Sequence, residues 1–131
     1  MHSLQKNILI VDGNQDILDA LADDLCLFMN NCIIHTAKDG KLGGEMMRSM
    51  SIDLVLTDID RSSPNGYRFI EQARKDFPAV PVCVMTGNCS PSMVNHLASI
   101  GVVRRIEKPF KFSTLARVLT EELDQADERH T

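Results

Sequence analysis

The amino-acid sequence predicts an α/β protein: one parallel five-stranded sheet covered on both faces by helices. Two observations carry that expectation. Short apolar runs alternate along the chain with longer helical segments, Ile8-Leu9-Ile10-Val11, Cys32-Ile33-Ile34, Leu54-Val55-Leu56, Val80 to Met85, and Val102-Val103 with Ile106. These runs are β-branched and mostly continuous rather than alternating, the pattern of strands buried on both sides. Five such units in series, each strand followed by a helix, imply parallel pairing with right-handed crossovers.

The helices follow from spacing and from their ends. Ile17, Leu21, Leu25 and Phe28 recur at near-helical intervals after Asn14, a capping residue, with Asp16 favourable in the first turn. A second helix follows Asp39, weakened by Gly40, Gly43 and Gly44 at up to about 1 kcal/mol per interior glycine. A third runs from about Gly66 to Asp76 and is stopped by Phe77-Pro78. The fourth opens at Ser90-Pro91, a cap followed by proline at the first helical position. The fifth follows Ser113 with Leu115, Val118, Leu119 and Leu123 on one face, and the polar residues 124–131 are expected to fray. Met46, Met47, Met50 and Met93 read as core filling.

With 131 residues the chain suits a single domain, with a core over about 7–123 and no repeat or linker. A formal net charge of −4 argues against a general nucleic-acid surface. No apolar run approaches the roughly 20 residues of a membrane span. Residues 1–7 lead into only four apolar ones, too few for a signal peptide. A cytoplasmic protein is expected. Cys26, Cys32, Cys83 and Cys89 lack the Cys-x-x-Cys spacing of zinc or redox sites and read as reduced thiols. His2, His35, His96 and His130 show no ligand spacing.

In open parallel sheets the working site lies beyond the carboxyl ends of the strands. Those ends carry Asp12, Asp58, Thr86 and Lys108. Two carboxylates, a hydroxyl and an ammonium at one edge suit phosphoryl transfer: one carboxylate serves as nucleophile and becomes an aspartyl phosphate. The rest is positioning and charge neutralisation, to which Mg²⁺ is suited because it accepts hard oxygen ligands and keeps several waters. Lys108 can neutralise one phosphoryl oxygen and the Thr86 hydroxyl can donate to another, with Gly87 leaving the adjacent backbone open.

These residues resemble the response-regulator receiver family of two-component signalling. Ile8 to Asp12 looks like its first strand and acidic pocket, Asp58 matches its phosphoacceptor, and Gly66 stands at the family's spacing beyond it. Thr86-Gly87 matches the end of its fourth strand, and Lys108-Pro109-Phe110 its lysine and the proline after it, where a cis peptide is usual. The resemblance spans about residues 7–122 and implies a flavodoxin-like, doubly wound sheet of order 2-1-3-4-5. It implies Mg²⁺ held by Asp12, Asp58 and the backbone carbonyl of Asp60. It also implies a sensor histidine kinase or phosphotransfer protein as donor, and output by protein contact rather than enzyme activity.

Three departures stand out. Gly13 occupies the place of the family's second acid, a direct metal ligand, so weak Mg²⁺ binding is expected. Ser62 replaces the usual proline after Asp58, with Pro64 later. Arg105 replaces the aromatic residue three places before the lysine; a guanidinium resists burial, so it should stay outward on the partner face. Gly13 and Arg105 also keep open a degenerate receiver that binds without being phosphorylated. A distant alternative is a haloacid-dehalogenase-like phosphatase using Asp58 and Asp60 as its Asp-x-Asp motif, although that family carries the motif on its first strand.

Overall fold

A computed structural model describes residues 5–59, 65–87 and 90–129. Five strands and five helices alternate in the order β1 (Lys6–Val11), α1 (Gln15–Phe28), β2 (Cys32–Ala37), α2 (Gly40–Ser49), β3 (Leu54–Asp58), α3 (Asn65–Asp76), β4 (Val82–Thr86), α4 (Pro91–Ser99), β5 (Arg104–Glu107) and α5 (Phe112–Arg129). All strand pairs are parallel and the sheet order is β2-β1-β3-β4-β5, as expected.

The continuous apolar strands are explained by two cores, one on each face. Ile8, Ile10, Leu54, Leu56, Cys83, Met85 and Ile106 face α1 and α5, meeting Leu18, Leu21, Leu25, Leu115 and Leu119. Their neighbours Leu9, Val11, Val55, Val82 and Val84 face the other way, onto Met47 of α2, Phe69 and Ile70 of α3, and Met93 and Leu97 of α4. Successive residues of a strand point to opposite faces, so both must be apolar when helices cover both.

Helix starts follow the capping residues. The Asn14 side chain accepts from the Asp16 and Ile17 amides, Asp39 from Leu42, and Ser90 from Met93 with Pro91 next. The α2 glycines have a packing reason: a Cβ at Gly40 would stand 2.8 Å from Phe69 Cβ, and one at Gly43 3.1 Å from Val11 Cγ2. Close approach of α2 to α3 and β1 therefore offsets their low helix propensity.

Four expectations are corrected. Phe28 is 52% exposed, and the buried stripe of α1 runs instead through Leu18, Leu21 and Leu25. Met50 lies exposed, while Met47 and Met93 are buried. The last strand begins at Arg104 rather than Val102, because Val103 lies ahead of the paired register, which starts at Cys83 with Arg104. Finally, α5 continues through the polar stretch to Arg129: Ala126 is buried, and Lys6 Nζ pairs with Asp127 Oδ1 at 2.9 Å. Buried Ala126 and the Lys6–Asp127 pair help to hold a segment that composition alone marks as a tail.

Candidate functional site

The site is assembled at the carboxyl edge of the sheet. Val11 ends β1, and the next residue, Asp12, is tied in place by its amide, which donates to the Ala37 carbonyl at 3.1 Å. Asp12 Oδ1 accepts from the Asn14 amide at 2.8 Å, so one carboxylate oxygen sets the turn into α1. Asp58 is the last residue of β3, paired in register with Met85. Lys108 follows β5, and its amide donates to the Thr86 carbonyl at 2.8 Å, which fixes the lysine beside β4. The Lys108–Pro109 peptide is cis.

Three of the four strand-end side chains meet. Lys108 Nζ lies 2.5 Å from Asp58 Oδ1 and 3.9 Å from Asp12 Oδ2. The Asp12, Asp58 and Lys108 side chains are 4%, 17% and 30% exposed, so the charges grade from the interior outward. The paired ammonium offsets the cost of seating two carboxylates this close in a partly buried site. Asp58 keeps enough access to meet a reactant.

Thr86 stands apart. It ends β4, is buried, and its hydroxyl donates to Met93 Sδ on α4 at 3.6 Å. It does not line the depression that holds Asp12, Asp58 and Lys108. Among the described residues, a Cβ at Gly87 would meet nothing within 4 Å. Gly13 lines the depression, and a Cβ there would meet only the Lys38 carbonyl, at 4.0 Å. Arg105 is exposed on the edge strand β5 and lies outside the cluster. Asp60, Ser62 and Pro64 fall outside the described residues.

The donor set fits Mg²⁺ chemically. Two carboxylates face a single cation, Lys108, at the open edge of the sheet, and Mg²⁺ needs only one or two carboxylates with water. Among the described residues no group of three or more His, Cys, Asp or Glu is placed to hold a metal.

Cys83 is fully buried, and burial pushes its pKa up to about 12. Cys26 and Cys32 are free thiols as well. Cys89, His2 and His130 lie outside the described residues.

Two features escape the strand-end reading. Arg104 is bound to α5 through Glu121 at 3.2 Å and Glu122 at 3.3 Å. The depression also extends past Asp58 between α2 and α3, where Lys38, Lys41, Arg48 and Arg68 line it. The first needed knowledge of which helix covers β5. The second needed the packing of α2 on α3, since these cations are scattered in sequence.

Comparison with known proteins agrees with this geometry. The sequence profile of the response regulator receiver domain matches residues 8–120. The chain is 30% identical over 113 residues to a probable cyclic di-GMP phosphodiesterase of Vibrio cholerae, covering 85% of this chain and 25% of that protein. It is 27% identical over 113 residues to the sensor histidine kinase RcsC of Escherichia coli, covering 86% of this chain and 12% of the kinase. The chain thus spans a quarter or less of either relative. The crystal structure of a CheY-like response regulator receiver domain protein from Methanospirillum hungatei superposes with a TM-score of 0.86 at 26% identity, over 95% of this chain and 98% of that one. Among the described residues no helix is long and apolar enough to cross a membrane. With Asp58 ending the third strand rather than the first, the phosphatase alternative loses its structural premise. The chain belongs to the response regulator receiver domain family of two-component signalling.

Proposed function

We propose that the chain is a single receiver domain that takes a phosphoryl group on Asp58 from the phosphohistidine of a sensor histidine kinase or phosphotransfer protein. The observation that carries this reading is the convergence of Asp58 and Asp12 on Lys108 at the open edge of the sheet. A carboxylate oxygen of Asp58 attacks phosphorus, the phosphorus–nitrogen bond breaks, and its electron pair leaves on the imidazole. Lys108, held by its amide to Thr86, moves its charge from the Asp58 carboxylate to a phosphoryl oxygen. The Thr86 hydroxyl exchanges Met93 for a second phosphoryl oxygen. Asp12, Asp58 and the Asp60 backbone carbonyl would hold Mg²⁺, which when bound neutralises charge on the phosphoryl oxygens.

The chain is a phosphoacceptor that assists its own phosphorylation and dephosphorylation and turns over no other substrate. Output runs through protein contact at α4, β5 and α5, in the cytoplasm, with no direct nucleic-acid or membrane partner. Exposed Arg105 is the contact we assign to that face, suited to an acidic partner surface.

A small acyl phosphate with Mg²⁺, followed on a phosphate-affinity gel, tests the assignment. Wild type should shift and Asp58→Asn should not, while both give the same circular dichroism. A shift that persists in Asp58→Asn refutes Asp58 as acceptor. Gly13 favours a second reading, a receiver that binds its partner unphosphorylated. That reading requires wild type to stay unshifted at any Mg²⁺ concentration.

A further inference from the structure

We infer that the groove between α2 and α3 is a binding site for a small polyphosphate anion, a molecule bearing a pyrophosphate group. It is separate from phosphorylation at Asp58. The depression runs on from Asp58 to Arg48 and Gln72. Its charged lining is five cations, Lys38, Lys41, Arg48, Arg68 and Lys108, against three carboxylates, Asp12, Asp39 and Asp58. That is a net of plus two, on a chain whose formal charge is −4.

The carboxylates are engaged elsewhere. Asp39 caps α2 by accepting from the Leu42 amide at 2.8 Å, and Asp58 and Asp12 face Lys108. Lys38, Lys41, Arg48 and Arg68 are exposed and make no ion pair among the described residues. Two other arginines, Arg104 and Arg117, both pair with Glu121. Clustered cations in excess of their counter-charges repel one another, and a bound anion relieves that repulsion.

The groove is also shaped to admit a ligand. Gly44 supplies its α2 wall without a side chain; a Cβ there would meet only Arg48 Nη1, at 3.4 Å. Lys41 and Arg48 come from α2 and Arg68 from α3, so charge is offered from two walls. A guanidinium grips two phosphate oxygens at once while an ammonium acts as a point charge. Charge on both walls suits a compact anion with oxygens on opposite sides, as two linked phosphates have.

The test is a titration of ¹⁵N-labelled protein with inorganic pyrophosphate in metal-free, low-salt buffer. Parallel arms use ADP and adenosine, and circular dichroism checks each variant. Amide signals of Lys38 to Arg48 and of Arg68 should shift saturably with pyrophosphate and with ADP but not with adenosine. The Lys41→Ala, Arg68→Ala double variant should bind pyrophosphate at least fivefold more weakly, and Arg117→Ala should match wild type. The titration holds neither phosphodonor nor Mg²⁺, so a chain that fails to accept phosphate at Asp58 can still pass. The inference is overturned by a non-saturable response, by a smaller loss in the double variant, or by the same shifts with adenosine. Shifts confined to the amides around Asp58 and Lys108, with none from Lys41 to Arg48 or at Arg68, would also overturn it, by placing the anion at the phosphoacceptor.

Discussion

Restoring an acid at position 13 should tighten Mg²⁺ binding. Gly13→Asp adds a carboxylate where a Cβ has no neighbour closer than the Lys38 carbonyl at 4.0 Å, so the change needs no repacking. A carboxylate oxygen about 2.1 Å from a divalent ion, at an effective dielectric of about 20, attracts it by about 16 kcal/mol. Desolvating the new carboxylate and displacing metal-bound water remove most of that gain. We expect about 1.4–2.8 kcal/mol net, a ten- to hundredfold lower Kd. Without metal the sign reverses: a third carboxylate beside Asp12 and Asp58 raises repulsion and lowers stability, so the variant's Tm should rise more steeply with Mg²⁺ than that of wild type. Isothermal titration calorimetry reads the affinity and a thermal melt reads the linkage. A Kd within twofold of wild type would mean that the inner ligand set is already complete, and the significance given to Gly13 would be wrong.

Further outcomes follow from other contacts. Arg104→Ala strands the Glu122 carboxylate, whose side chain is 4% exposed. Breaking a buried pair costs about 3–5 kcal/mol, but Arg104 is 35% exposed and solvent screens it, so a loss of about 1–2 kcal/mol is expected in urea denaturation. An unchanged midpoint would show that the pair contributes nothing. Cys83 keeps its proton in the folded protein up to about 12, whereas the thiol of the unfolded chain ionises near 9.0. Its contribution to stability is therefore complete below pH 9 and declines as pH rises toward 12, reaching a loss of about 2 kcal/mol by about pH 10.5. Wild type should lose that much more than Cys83→Val between pH 8 and 10.5, and equal losses would contradict the assignment. Arg105→Ala should weaken partner binding on the face of α4, β5 and α5; unchanged binding in both phosphorylation states would remove Arg105 from it.

The frame was legible because it rests on local rules. Asn14, Asp39 and Ser90-Pro91 each announce a helix, and all three act as caps. Continuous apolar runs announced strands buried on both faces, and strand ends then located Asp12, Asp58, Thr86 and Lys108. What was missed depends on neighbours that sequence spacing does not reveal. Phe28 keeps helical spacing with Leu21 and Leu25, yet it lies at the last turn of α1, away from the sheet. The start of β5 is set by register with β4, not by the apolar character of Val102 and Val103. The polar end of α5 stays helical because Lys6, at the far end of the sequence, lies beside Asp127. Thr86 marks the intermediate case: its place on β4 was legible, but its bond to Met93 depends on how α4 packs.

The most direct test is the intact mass of the protein after exposure to a small acyl phosphate and Mg²⁺, followed by mapping of the modified peptide. One added phosphate, located on Asp58, absent from Asp58→Asn and absent when Mg²⁺ is chelated, is the predicted result. An unmodified mass at saturating Mg²⁺, or a phosphate on any other residue, would contradict the phosphoacceptor account.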